Sequence, residues 1–226
     1  SDDKVDNFTI IAQGTQISYV TNKILWPCAI NLDQHEVLIN GKKVFNCNLL
    51  MENYKFEWIT PAHEFFHSIG ASDLYRLENG FKPIGGWDLM SYGEGHMSAY
   101  MKWKYSNQKW ITYIPEITVA GTYVLQPINT ISKTTPTIAY KIKSPYKNSG
   151  LMAYDEYFVI ENRQKTGLYE SSLPNSGLLV YRICENLWGN GNNGIFLPEM
   201  QVEAYIYRPD GINTIQSNTS DEKVNQ

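Results

Sequence analysis

The spacing of apolar and polar positions changes period twice along the chain. Residues 8–13, FTIIAQ, form a short apolar, β-branched run closed by Gly14, which predicts a buried strand. In ILWPCAINL, residues 24–32, Pro27 argues for a loop or an edge rather than a central strand. Two alternating runs in EVLINGKKVF flank Asn40-Gly41, a pair that can take positive φ at both central positions of a hairpin turn. A helical period then takes over in WITPAHEFFHSIG, residues 58–70. Thr60 is placed to cap this helix, Pro61 to open it and Gly70 to end it in the left-handed conformation. Trp58, Ile59, Ala62, Phe65, Phe66 and Ile69 surround its histidines with apolar surface, which predicts a helix buried in the core.

Residues 79–95, NGFKPIGGWDLMSYGEG, are too rich in glycine for a regular element. MSAYMKWKY reads as a second, short helix. Beyond Pro115 the alternation returns: ITVAGTYVLQPI, TIAYKIKS, EYFVIENRQ, GLLVYRIC and EAYIYRP predict five strands, with NLWGNGNNG as a long turn. β segments, a central helix pair and a mostly β second half together predict an α+β fold. A soft boundary near residue 113 divides residues 1–112 from a β-rich 113–226.

Composition narrows the partners. Apolar residues make up 42% of the 226, enough for a proper core. The formal net charge is −4 and no block of lysine and arginine appears, so a nucleic-acid partner is not expected. No apolar run approaches the ~20 residues of a membrane span, and a monomer is expected. The opening SDDKVDNFTI reads as a cut inside a longer protein, so a leader that is not visible excludes nothing. Cys28, Cys47 and Cys184 make neither a metal cluster nor a disulfide framework. Cys28 and Cys47 could meet across neighbouring strands, or all three could be buried thiols.

The chemistry concentrates in HEFFHSIGASD. Two of the chain's four histidines, His63 and His67, stand four apart on one helical face, so both rings can converge on one ion. Glu64, about 100° round the helix, can reach a water bound to that ion without ligating it. Zinc lowers the pKa of such a water from 15.7 to roughly 7, and a neighbouring carboxylate can take the remaining proton. Gly70 can turn the chain beneath the metal, and Asp73, three residues on, is a hard oxygen donor able to complete the site. Two histidines and one aspartate leave a position open for water, as catalytic zinc requires. Had the helix run on, Glu78 or Glu94 would be the candidate third ligands. The competing structural reading is a pair of core histidines bonded to carbonyls.

HEFFHSIGASD matches HExxHxxGxxD, and the chain resembles the metzincin metallopeptidases that use aspartate as third zinc ligand. DLYRLENGFKPIGGWDLMSYGEGHMSAYMKW is similar to the stretch that follows in immune-inhibitor-A-like peptidases, a secreted bacterial group. The flanks DKVDNFTIIAQG and EYFVIENRQ…GLLVYRI agree less specifically. The resemblance implies a metzincin-like catalytic domain with an active-site helix, then a mostly β C-terminal half. It makes Met90 the Met-turn methionine, packed under the histidines, and Tyr92 a phenol able to donate to the tetrahedral intermediate. It also implies secretion or a cell-surface place. The chain departs from the pattern at Ser72, where proline is common, at Arg76, where a further aspartate is common, and at Phe66, where glycine is usual. Only about 60 residues precede His63, short for the N-terminal half of a metzincin, so upstream elements are expected to be missing. Asp2, Asp3 and Asp6 are either the remnant of an acidic Ca2+ loop or a solvated terminus.

The leading expectation is a secreted zinc endopeptidase acting on extended protein or peptide chains, with Glu64 as general base and then acid. Substrate would add as a strand to an edge near residues 44–50. A retired peptidase fold serving as a surface adhesion module is the alternative, although none of His63, Glu64, His67 and Asp73 is lost. A structural zinc site is the third reading, and it would draw a fourth ligand from His96 or Glu94. His96 reads best as structural and His35 as solvent-exposed.

Overall fold

The hairpin at Asn40-Gly41 forms as its sequence requires: φ is 51° at Asn40 and 77° at Gly41, and β4 (Leu38–Ile39) turns back into β5 (Lys42–Val44). The structure, a computed structural model, describes residues 3–14, 26–52, 58–76, 82–130, 137–145, 156–190 and 202–207. The chain forms two compact units, Ser1–Ala71 and Ser72–Gln226. The boundary near residue 113 read from the sequence falls inside the second unit, where residues 87–104 are hydrogen-bonded to residues 161–203.

In the first unit β1 (Lys4–Val5) joins β5 in parallel, giving the order β1-β5-β4. The other sheet centres on β6 (Asn46–Met51), flanked by β2 (Phe8–Ala12) in parallel and β3 (Cys28–Asn31) antiparallel. Pro27 directly precedes β3, an edge strand among the described residues, where its missing N–H breaks no ladder. Residues 44–50, expected to form an exposed edge, are instead central: Val44 ends β5, between β1 and β4, and residues 46–50 belong to β6, paired on both sides. The 8–13 segment is a strand but not a buried one: Phe8 is 41%, Ile10 43% and Ile11 67% exposed. An unbroken apolar run puts side chains on both faces of an edge strand, and this edge leaves both partly uncovered. Cys28 faces Leu49 and Cys47 faces Ile30, so the two thiols are diagonal neighbours on one sheet face and stand as free cysteines.

α1 (Ile59–Ser68) packs on β3 and β6 of the same unit. Its N-cap is Trp58, with no side-chain cap bond, and Thr60 lies inside the helix rather than capping it. The early start costs nothing at Pro61, the third helical residue, because first-turn N–H groups have no intrahelical acceptor. The helix is half-buried rather than wholly in the core: Phe66 is 1% exposed, while Phe65 and Ile69, four apart on one stripe, are 49% and 36% exposed. Its C-terminal end is tied to the sheet through Ser68, whose Oγ donates to Asn48 Oδ1 at 3.2 Å and accepts from Asn7 Nδ2 at 2.5 Å.

The second unit holds α2 (Ala99–Tyr105), capped by the Ser98 side chain, and an antiparallel sheet. The sheet comprises β7 (Ala139–Lys143), β8 (Glu156–Arg163), β9 (Gly177–Cys184) and β10 (Ala204–Ile206), in the order β10-β9-β8-β7. Four of the five strands expected here form. ITVAGTYVLQPI does not become one: it makes an isolated bridge at Pro127↔Asn162, its preceding residue Glu116 makes another to Lys141, and Val119 and Val124 are 68% and 70% exposed. Alternation alone cannot make a strand where no continuous ladder partner runs alongside.

This unit buries charge. Glu161 and Arg163, two apart on β8, point to one face, and Arg163 is fully enclosed. Its guanidinium donates to both oxygens of Glu170 (2.7 and 2.8 Å), to Glu161 Oε1 (3.1 Å), and to the carbonyls of Trp87 (2.8 Å) and His96 (3.1 Å). His96 borders this cluster, its Nδ1 2.8 Å from Lys102 Nζ and its Nε2 3.3 Å from Glu170 Oε1. Burial first, and then the charges of Lys102 and Arg163, push the imidazole pKa down to about 3 from an ordinary 6.5. Between those values the unfolded chain carries the extra proton, so falling pH favours unfolding, and below about 3 the slope disappears. Urea unfolding should therefore lose up to about 1.4 kcal/mol per pH unit from this group across that window. His96→Gln should flatten that part of the profile.

No helix among the described residues is long and apolar enough to cross a membrane.

Candidate metal centre

α1 carries His63 and His67 one turn apart, with their rings at 89° and their Nε2 atoms 3.2 Å apart. Two zinc–nitrogen bonds of 2.0–2.1 Å at a tetrahedral angle would separate the nitrogens by about 3.3 Å. The helix ends as its sequence predicts. Gly70 takes φ +99°, its N–H donates to the His67 carbonyl at 2.9 Å, and the Ala71 N–H donates to the Phe66 carbonyl at 3.3 Å. That pair of bonds is a Schellman motif. A Cβ at Gly70 would touch nothing within 4 Å, so the positive φ, not crowding, is what calls for glycine.

This turn also orients a ring. It brings the Ala71 carbonyl to 2.8 Å from His67 Nδ1, which must carry its proton to make that bond. The lone pair of neutral His67 is thereby fixed on Nε2, the atom facing His63. Asp73 follows six residues after His67. One donor atom from each of His63, His67 and Asp73 lies within 4.8 Å of the others, and all three residues are half-buried. These residue types at this spacing suit zinc and leave the coordination sphere open.

Glu64, next to His63 on α1, is buried, 8% exposed. Burial pushes the Cys28 thiol up from its ordinary value, and the Glu64 carboxylate adds to the shift, so a charge at Glu64 is felt on β3.

The segment carrying Asp73 is held from behind within the second unit. Leu74 N–H donates to the Met90 carbonyl at 2.6 Å, and the fully buried Met90 donates its own N–H to Asp88 Oδ1 at 2.8 Å. Met90 is thus a buried methionine of the second unit. Asp88 also accepts from Ser98 N–H at 2.7 Å, tying the Met90 turn to the start of α2. Burial pushes the Asp88 carboxyl up, against the two N–H bonds that favour its charged form. Tyr92 is 50% exposed, with Lys82 Nζ 3.9 Å from its ring centroid. Burial and the Asp73 charge raise its phenol above the ordinary value, so it stays a hydrogen-bond donor at neutral pH.

Asn190 and Gly189 were not legible in the sequence, where they sit inside a segment read as a long turn. Fully buried Asn190 donates its N–H to the Asp73 carbonyl (3.1 Å) and its Nδ2 to the carbonyls of Leu74 (2.8 Å) and Ala204 (3.0 Å). A Cβ at Gly189 would fall 2.7 Å from Ser72 Cβ, so glycine is what permits this approach. Arg76, the departure from the peptidase pattern, donates its Nε to the Asn190 carbonyl at 2.8 Å.

The alternative ligands fare differently. Glu78 lies outside the described residues. Glu94 and His96 join no group of converging donors among the described residues, and His96 is engaged with Lys102 and Glu170. Of the proposed calcium loop, Asp2 lies outside the described residues, and Asp3 and Asp6 join no such group. His35 is exposed, as expected. No family model, curated protein or solved structure matches the chain.

Proposed function

We propose that this chain is a zinc-dependent endopeptidase acting on extended peptides outside the cell. The observation that carries the reading is the convergence of His63, His67 and Asp73, with His67 Nδ1 committed to a carbonyl so that its other nitrogen faces the centre. A hydrogen-bonded pair of histidines would explain the 3.2 Å contact but not the carboxylate beside it. Zinc held by these three residues would supply Lewis acidity to water and to a peptide carbonyl.

The chain's own residues supply the rest. Glu64 takes a proton from the attacking water and returns it to the leaving amine, and its buried position shields that transfer from solvent. Tyr92 donates its phenolic hydrogen to the carbonyl oxygen as negative charge develops there. The three ligands and the base are all intact, which favours an enzyme over a retired adhesion module. Among the described residues β3 has one unpaired side, and an extended substrate would add its strand there rather than at β6. Secretion rests on the resemblance.

Metal analysis tests the reading. Purified protein should carry about one zinc per chain, and 1,10-phenanthroline should remove it and abolish cleavage of a quenched-fluorescence peptide library. Zinc should restore both. Protein that takes up no zinc after soaking would support the adhesion module instead.

A further inference from the structure

The second unit has a cleft that plays no part in the proposed peptidase chemistry. It encloses about 140 Å³ between Trp103 of α2, Tyr113, buried Ile114, Glu116, and Lys141 and Tyr157 of β7 and β8. Glu116 and Lys141 are bridged through their backbones: Ile117 N–H donates to the Lys141 carbonyl and Lys141 N–H to the Pro115 carbonyl, each at 2.8 Å. Bridged neighbours of opposite charge normally pair. Here they do not, because Lys141 lays its ammonium over the Tyr157 ring, 3.9 Å from the centroid. Among the described residues Glu116 has no cation within salt-bridge distance.

The cleft thus offers an acceptor-only carboxylate, an ammonium donor and aromatic walls, while Tyr113 at its rim is 69% exposed. A ligand cation would meet Lys141, and a ligand anion would meet Glu116. A neutral ring avoids both penalties if its edge carries hydroxyls and its face carries C–H groups. The hydroxyls can donate to Glu116 and accept from Lys141, and the C–H face can cover an aromatic ring. We propose that this cleft binds a single pyranose residue of a glycan. A zwitterionic peptide end is the less suited occupant, since its carboxylate would have to draw Lys141 off Tyr157.

Saturation-transfer NMR on the full 226-residue chain tests this with the methyl glycosides of glucose, galactose and N-acetylglucosamine. Glycylglycine and tetramethylammonium serve as charged comparators. At least one glycoside should bind with a Kd on the order of millimolar, its ring C–H protons taking up magnetisation. Glu116→Gln and Tyr113→Ala should each weaken that binding by roughly tenfold or more. Both positions are solvent-exposed, and an unchanged Tm will show that the variants remain folded. Saturation transfer to no glycoside, binding of glycylglycine in their place, or glycoside binding that survives both substitutions would each overturn the proposal. Repeating the titration with phenanthroline present should change nothing, so this result and the zinc result stand or fall separately.

Discussion

Glu64→Gln should retain its zinc and hydrolyse an extended peptide roughly a thousandfold more slowly than the parent. Glutamine matches glutamate in shape, so the buried site and the fold of α1 persist, but an amide cannot take a proton from water. The loss should fall on kcat rather than KM, since the proposed mechanism gives Glu64 the proton transfer and not strand binding. A second readout checks that the side chain sits where the reading needs it. Part of the upward shift of the Cys28 thiol comes from the Glu64 charge, so the pH profile of Cys28 alkylation should move down in the variant, with the larger part, due to burial, remaining. A variant cleaving at near-parental rate would remove Glu64 from the mechanism, whatever its zinc content.

Arg163→Met should cost about 3–5 kcal/mol of unfolding free energy in chemical denaturation. The guanidinium uses its donors on Glu161, Glu170 and two carbonyls, and all three charged side chains are at most 1% exposed. Methionine fills much of the volume but strands two buried carboxylates. Lysine should rescue little, because one ammonium cannot reproduce the planar fork that holds Glu170 at both oxygens. Removing the charges together, as Glu161→Leu, Arg163→Met and Glu170→Leu, should recover only part of the loss: no ion is left without a partner, but the Ala99 N–H, the Tyr181 hydroxyl and the Trp87 and His96 carbonyls lose theirs. The network is not structural cement if the single Arg163→Met substitution falls within about 1 kcal/mol of the parent.

What the sequence disclosed tracks how local each feature is. The helix carrying His63 and His67, the glycine that ends it and the Asn40-Gly41 turn each depend on residues within a few positions, and each was readable. The bond from the Ala71 carbonyl to His67 lies in the same short span, yet it needs three-dimensional geometry to be seen. Features set by distant partners were hidden. β6 became central only because β2 and β3 both came to it, and ITVAGTYVLQPI has no continuous ladder partner among the described residues. Asn190 holds the backbone of Asp73 from well over a hundred residues away, and nothing in its own neighbourhood announces that task. The Arg163 cluster was missed for a related reason: an alternating strand with charges at two inward positions looks like one with a wet face until its neighbours are known. Thr60 shows the converse error, a good capping residue overruled by a helix that starts earlier.

The parallel pairing of β2 with β6 bears on how the protein is made. Parallel neighbours cannot close through a tight turn, so β2 must wait for its ladder until residue 51 has left the ribosome. During that delay a strand bearing Phe8, Ile10 and Ile11 has no ladder to occupy, the condition under which nascent chains stick to one another.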